Sequence, residues 1–394
     1  MKLKNSFFIL SFLIISSFEK EYQIQNKIRK RSIFRDKFNP WTFPIKYHIE
    51  NHVDSKNVEK ALEIISKETC ITFNKSLTPI SNERGIQFKW SKNSCSSDVG
   101  SVYINKPNTI LLADGCQKEV GLIIHEICHS LGLIHEQSRS DRDNYISIQW
   151  DKIKSEAKNS YNLTNHSAYL TYLTSYDYGS IMHYHPTDFS MDKSSRTMIP
   201  KKYEEYLDMM GQYSYLSFND IKKLNLCHCN KCKWVKINSG RKNKTYKGIN
   251  CSRNGYPDFR NCSRCICPSG FVGRDCNAVN SNPSGCNSSM IIVANRTLIK
   301  GSGIKRCINY VVTFENKRLN ITIESLHASK AKICLQGISV EVKYRKDKGA
   351  TGLLFCGEHK NKTIITETHD ALIFYYGREE KNFMNIIVNM IDKN

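Results

Sequence analysis

The stretch HEICHSLGLIHE, from His125 to Glu136, restricts what this chain can fold into more than any other. His125 and His129 are four apart, so a helix stacks them one turn above each other on one face, where both can grip one ion. Glu126 projects from the next angular position, near enough to take a proton from water on that ion without becoming a ligand. Gly132 tolerates the left-handed turn at which a helix stops, and the chain can then double back to bring in His135. Three neutral imidazoles suit zinc and leave one coordination position open to water, as in a reactive site and unlike a closed structural one. Two histidines at this spacing occur by accident in long chains, whereas the added glycine and third histidine are far harder to obtain by chance.

A methionine turn should follow, and Tyr178-Gly179-Ser180-Ile181-Met182-His183-Tyr184 supplies one, with Met182 as an apolar floor under the metal. The stretches HEICHSLGLIHEQSRSDRD and SIMHY together resemble the astacin metalloproteases, which glutamate directly after the third histidine separates from other metzincins. The resemblance implies an α+β, two-lobed metzincin catalytic domain with a five-stranded sheet and an active-site helix. It implies His125, His129 and His135 as ligands of one catalytic zinc ion, Glu126 as general base, and Tyr184 as a swinging fifth ligand that hydrogen-bonds the oxyanion. Glu136 would anchor the amino terminus of the matured enzyme. Disulfides Cys95–Cys116 and Cys70–Cys227 are implied as well. So is an exposed sheet edge at Thr109-Ile110-Leu111-Leu112-Ala113, to which an extended polypeptide adds through main-chain hydrogen bonds. Two features depart from the family. Tyr213 stands where arginine commonly favours acidic residues after the scissile bond, and no F-x-G-D motif lies between Glu19 and Arg31 to keep a precursor latent.

Compartment follows from the cysteines and the amino terminus. Sixteen cysteines, clustered in the last two thirds, fit an oxidised secreted chain. Lys2 and Lys4 precede an apolar run from Phe7 to Ile15 and then Ser16 and Ser17, the layout of a signal peptide over 1–17. That run is too short to span a bilayer, and no later segment reaches about 18 apolar residues. A short propeptide over 18–31 ends in Arg29-Lys30-Arg31, which reads as a site for a processing protease at Arg31, leaving Ser32 as the new terminus; an exposed linker is the alternative. The net charge of +21 comes from scattered lysines among asparagine and isoleucine, so nucleic acid is not expected as a partner and weak attraction to acidic glycans is the only charge-based expectation. Sequons at Asn74, Asn162, Asn165, Asn243, Asn287, Asn295, Asn320 and Asn361 permit glycosylation.

At 394 residues the chain exceeds what one core usually holds. The catalytic domain is expected over 32–228. In it Ile45 to Ile49 and Ile86 to Trp90 alternate as strands, Asp54 caps a helix burying Val58, Ala61, Leu62 and Ile65, and Leu216 to Ile221 opens a closing helix. Cys128 reads as a buried thiol on another face of the metal helix, not a zinc ligand. The region 229–276 is dense in cysteine and poor in apolar residues, and CICPSGFVG ending at Cys276 resembles an epidermal-growth-factor-like (EGF-like) module. Six of its cysteines would pair internally, Cys267 and Cys276 among them, with one of Cys229 or Cys232 left over. Residues 286–394 alternate in short strands, and Cys286, Cys307, Cys334 and Cys356 with the segment DALIFYYG resemble a CUB β-sandwich, a nonspecific sandwich being the alternative.

The expectation is a secreted, extracellular zinc endopeptidase acting on extended polypeptide, such as extracellular matrix or cuticle protein. The competing reading is a catalytically inactive adhesion protein that works through its accessory modules. Intact His125, Glu126, His129, His135 and Tyr184 weigh against it.

Overall fold

The computed structural model describes residues 33–34, 40–164, 169–236 and 239–393. The expected signal peptide, the segment 18–31 with its processing site at Arg31, Ser32 and the sequon at Asn165 lie outside the described residues.

Strand β1 (Ile33–Phe34) pairs with Tyr169–Leu170. The amino-terminal lobe proper begins at β2 (Ile45–Ile49), followed by helix α1 (Ser55–Glu68) and strands β3 (Phe73–Lys75), β4 (Ile86–Trp90), β5 (Ser96–Ser97) and β6 (Asn108–Leu112). Asp54 starts α1 by accepting the Asn57 amide at 3.1 Å, and Val58, Ala61, Leu62 and Ile65 form its buried stripe. The five-stranded sheet has the order β3-β2-β4-β6-β5, with β5 alone antiparallel to its neighbour.

This order corrects the expectation for residues 109–113. Strand β6 is covered on both sides, by β4 and by β5, so the edge is the short strand Ser96–Ser97. Apolar alternation marks a strand but says nothing about its neighbours, and two serines carry no alternation to detect.

Below the sheet, α2 (Asp114–Gln117) leads into the metal helix α3 (Val120–Ser130), whose Ile123, Ile124 and Ile127 enter the same core as α1. Trp41 donates its indole N–H to Ser130 O at 2.9 Å, tying the start of the domain to the end of this helix. The second lobe is mostly irregular, with short 3-10 turns and a ribbon between Ile146–Ile148 and Met198–Pro200, and it closes with helix α4 (Phe218–His228). Ser217 and Asp220 cap α4 reciprocally.

Seven disulfides lie among the described residues. Cys95 is joined to Cys116, Cys267 to Cys276, Cys286 to Cys307 and Cys334 to Cys356. The implied bridge Cys70–Cys227 is overturned: Cys70 pairs with Cys229, and Cys227 is in no disulfide. Cys227 lies in the last turn of α4 and Cys229 is its C-cap. Two residues along a helix swing the side chain by about 200°, so only one of them can face Cys70. With Cys229 spent in this way, Cys232 pairs with Cys262 and Cys251 with Cys265.

Past Cys229 come two small hairpins, Tyr256–Asp258 with Asn261–Ile266 and Phe271–Val272 with Ala278–Val279. The last region packs two sheets. One runs Met290–Ile292, Arg306–Val312, Asp370–Tyr376, Val340–Lys343, Leu353–Phe355, and the other Thr297–Ser302, Phe383–Asp392, Lys317–His327, Glu358–Ile365. Their inner residues share one hydrophobic cluster with Tyr176, Tyr178 and Tyr206 of the second lobe, so the core runs on into the sandwich. No helix among the described residues is long and apolar enough to cross a membrane.

Candidate metal centre

Helix α3 delivers His125 and His129 on one face, and Gly132, at φ +99°, ends it with its N–H on His129 O at 2.7 Å. The reversed chain then brings His135 Nε2 to 3.2 Å from His125 Nε2 and 3.1 Å from His129 Nε2. The other ring nitrogens decide what these contacts are. His125 Nδ1 donates to Ile181 O at 2.8 Å and His129 Nδ1 to Leu133 O at 2.7 Å. A carbonyl only accepts, so each Nδ1 carries the proton and each Nε2 presents a lone pair. Two lone pairs aimed at the third ring nitrogen from about 3 Å make a set that a cation can join. The spacing is close to the roughly 3.3 Å edge of a tetrahedron with Zn–N bonds of about 2.0–2.1 Å. Burial drives all three imidazoles toward the neutral form a metal needs, His129 down to about 3 and His135 well below the usual histidine value. No other group of histidine, cysteine or carboxylate side chains with metal-binding spacing occurs among the described residues.

Glu126 lies beside this cluster, 7% exposed, with Oε2 lacking any hydrogen-bond partner. That oxygen is open on the cleft side, where a water or a substrate group can meet it. Burial alone pushes its carboxyl up to about 8, and a dication nearby favours the charged form and opposes that shift. The cleft in front holds about 770 Å³ and is bordered by Cys95, Ser96 and Ser97 of the sheet edge and by Tyr184, Asp188 and Tyr213 across from it.

Residues 34–229 match the family model described as Astacin, a peptidase family. Zinc metalloproteinase nas-23 of Caenorhabditis elegans is 30% identical over 97% of this chain and 71% of its own length. The chain belongs to the astacin family. Another relative, zinc metalloproteinase dpy-31 of Brugia malayi, is 29% identical, and the match takes in 90% of this chain and 59% of that relative. Among solved structures, high choriolytic enzyme 1, a hatching enzyme zinc-protease from Oryzias latipes, is 28% identical over 50% of this chain and 94% of its own, with a TM-score of 0.43.

The other residues singled out in the sequence have these places. Met182 is fully buried in the same core as Ile123, Ile124 and Ile127 of α3, and its carbonyl accepts the Glu136 amide at 2.9 Å. Tyr184 stands 4.3 Å ring to ring from His135, in a cleft wall it shares with Ser160, and burial raises its pKa. Tyr213 meets His125 edge-on at 5.7 Å. Cys128 is a buried thiol outside the histidine cluster. Glu136 is wholly buried: Oε1 accepts from Arg139 Nη1 at 3.1 Å and Asp177 N at 2.9 Å, and Oε2 from Lys223 Nζ at 3.1 Å. Its expected partner, the amino group of Ser32, lies outside the described residues.

Sequence reasoning missed Asp188 and Phe189 in the cleft wall, and the carbonyls of Ile181 and Leu133 that fix the imidazoles. A backbone carbonyl leaves no mark in a sequence. Missed as well were Lys223 and Asp220, whose i, i+3 spacing was visible although their burial was not.

Proposed function

We propose that the protein is a secreted zinc-dependent endopeptidase that cleaves extended extracellular polypeptide. The observation that carries this reading is the convergence of three imidazole nitrogens beside the open Glu126 oxygen, in a cleft bounded by an unpaired sheet edge. His125, His129 and His135 would hold the zinc ion. Zinc bound there acts as a Lewis acid, polarising a peptide carbonyl and acidifying water. Glu126 accepts the water proton and returns it to the leaving amine. The Tyr184 hydroxyl, on the cleft wall, donates to the oxygen on which charge develops. The backbone of Ser96 and Ser97 binds substrate as an added strand, so affinity does not require one particular side chain.

Among the described residues the cleft lining includes Glu126 and Asp188 but neither lysine nor arginine, and Tyr213 takes the place beside His125. Acidic substrate side chains find no counter-charge there, so neutral, aromatic or basic residues are favoured next to the scissile bond. Seven disulfides support an oxidising, extracellular destination; the signal peptide over 1–17 and processing at Arg31 are the sequence's own part of the proposal. In this reading 229–276 is an EGF-like module and 286–394 a CUB-like domain, and matrix or cuticle protein is the substrate class.

Zinc content measured together with chelator-sensitive cleavage of gelatin tests the proposal. Purified protein that carries zinc and cuts neither gelatin nor a peptide library would favour the inactive adhesion protein. Cleavage sites in the library report the effect of Tyr213 and Asp188.

A further inference from the structure

Three successive residues leading into the methionine turn are held from the C-terminal sandwich. Ser175 N donates to Asp347 Oδ2 at 2.7 Å, Tyr176 O accepts from Arg345 Nη1 at 2.6 Å, and Asp177 Oδ1 accepts from Thr351 N at 3.1 Å. The same Asp347 oxygen accepts from Asn219 Nδ2 of α4 at 3.2 Å. Arg345, Asp347 and Thr351 are all buried, so water does not compete for these bonds and leaving any of them unmade is costly.

The fit is close from both sides. A Cβ on Gly179 would lie 2.6–2.8 Å from the Thr351 side chain, and one on Gly349 would lie 2.7 Å from Asn219 Oδ1 and 2.8 Å from the Phe218 ring. Domains joined only by a linker normally meet through polar, yielding contacts. Here the backbone of each region fills a space on the other that has no room for a methyl group.

From this contact the path to the metal centre is short. Asp177 Oδ1 also accepts Gly179 N at 3.1 Å, and Asp177 O accepts Ser180 N at 3.1 Å. Asp220 accepts Ser180 Oγ at 2.7 Å and Ile181 N at 3.0 Å. Ile181 O then accepts His125 Nδ1 at 2.8 Å. The orientation and tautomer of that imidazole therefore depend on where 175–181 lies.

We propose that Arg345, Asp347 and Thr351 are positioning residues of the metal centre, so that the C-terminal sandwich is part of the catalytic unit and not an appended binding module. The proposal rests on the metalloprotease reading above. It is tested in the full-length protein with Asp347→Asn, Gly179→Ala and the double variant Gly179→Ala with Thr351→Gly. For each, kcat and KM on a peptide, the rate of zinc loss to EDTA, and the melting temperature are measured. Asp347→Asn and Gly179→Ala should each lower kcat and speed zinc loss by about tenfold with little change in KM, as for other groups that orient a metal ligand. Thr351→Gly, on the other side of the interface, should restore most of the Gly179→Ala loss. Variants that melt earlier yet keep the parental kcat and zinc-loss rate would overturn the proposal, as would failure of Thr351→Gly to rescue. If Gly179→Ala does not fold, Asp347→Asn, which keeps the side-chain shape, decides by the same readings. Parental protein that holds zinc and cleaves nothing counts against the protease reading alone, because the zinc-loss comparison still stands.

Discussion

The two walls of the metal centre are built by different means. On one side helix α3 sets His125, Glu126 and His129 by its own pitch, and its apolar residues seat it against α1 and the sheet. On the other side 175–184 has no regular structure, and each turn of it is held by a distant group: Glu136, Asp220, Gln137, Asp347 and Thr351. A helix places its side chains through local hydrogen bonds, so distant changes displace them little. An irregular wall is only as well placed as the buried charges that grip it.

Substitutions on the two walls test this contrast. The largest effect belongs to the helical wall. Glu126→Gln should cut turnover by about 10²- to 10⁴-fold while zinc content, read by atomic absorption, is unchanged, and parental activity would remove Glu126 from the chemistry. On the irregular wall, Lys223→Met strips the buried cation from Glu136 and Asp220, both 3.1–3.2 Å away, and should cost about 4 kcal/mol in urea denaturation. A negligible loss would mean that Arg139 neutralises Glu136 unaided.

His183 gives the same wall an acid sensitivity. Burial holds its pKa down to about 4, with Nε2 on the Tyr176 hydroxyl at 2.7 Å and Nδ1 on Tyr184 O at 2.8 Å. The folded value lies below the unfolded value near 6.5, so the unfolded chain takes up the proton first. The contribution is complete above pH 6.5 and lost as pH falls toward 4, on the order of 3 kcal/mol in all. Denaturation of His183→Gln across that window should show a flatter profile than the parent, and an equal slope would place the acid sensitivity elsewhere.

The Cys70–Cys229 bridge joins the end of α1 to the end of α4, and replacing both with serine should cost about 2 to 4 kcal/mol. Peptide mapping should recover Cys70 linked to Cys229, and a Cys70–Cys227 peptide would reverse the correction. The smallest effect is the most local one: Asp54→Ala removes the α1 cap and should cost about 1 kcal/mol with no change in kcat.

Much of the helical wall is legible in the chain alone. Spacing of four, a glycine, and a third histidine act through helix geometry, and the structure brings His125, His129 and His135 together as that geometry requires. Cap and stripe of α1 are legible for the same reason. The errors fall where neighbours in space decide. Residues 109–113 carry a strand pattern, yet their place inside the sheet depends on two serines with no pattern of their own. Cys227 and Cys229 are alike in composition, and only the end of α4 determines which one faces Cys70.

The donor set needs nothing beyond a dozen consecutive residues: which imidazoles, which carboxylate, and the reversal at Gly132 that joins them all follow from φ, ψ and the 3.6-residue turn. What holds the opposite wall emerges only when the whole chain is packed. The partners of Ser175, Asp177 and Glu136 lie 172, 174 and 87 residues away, and a contact over such a separation is fixed by packing and burial, which no local pattern encodes.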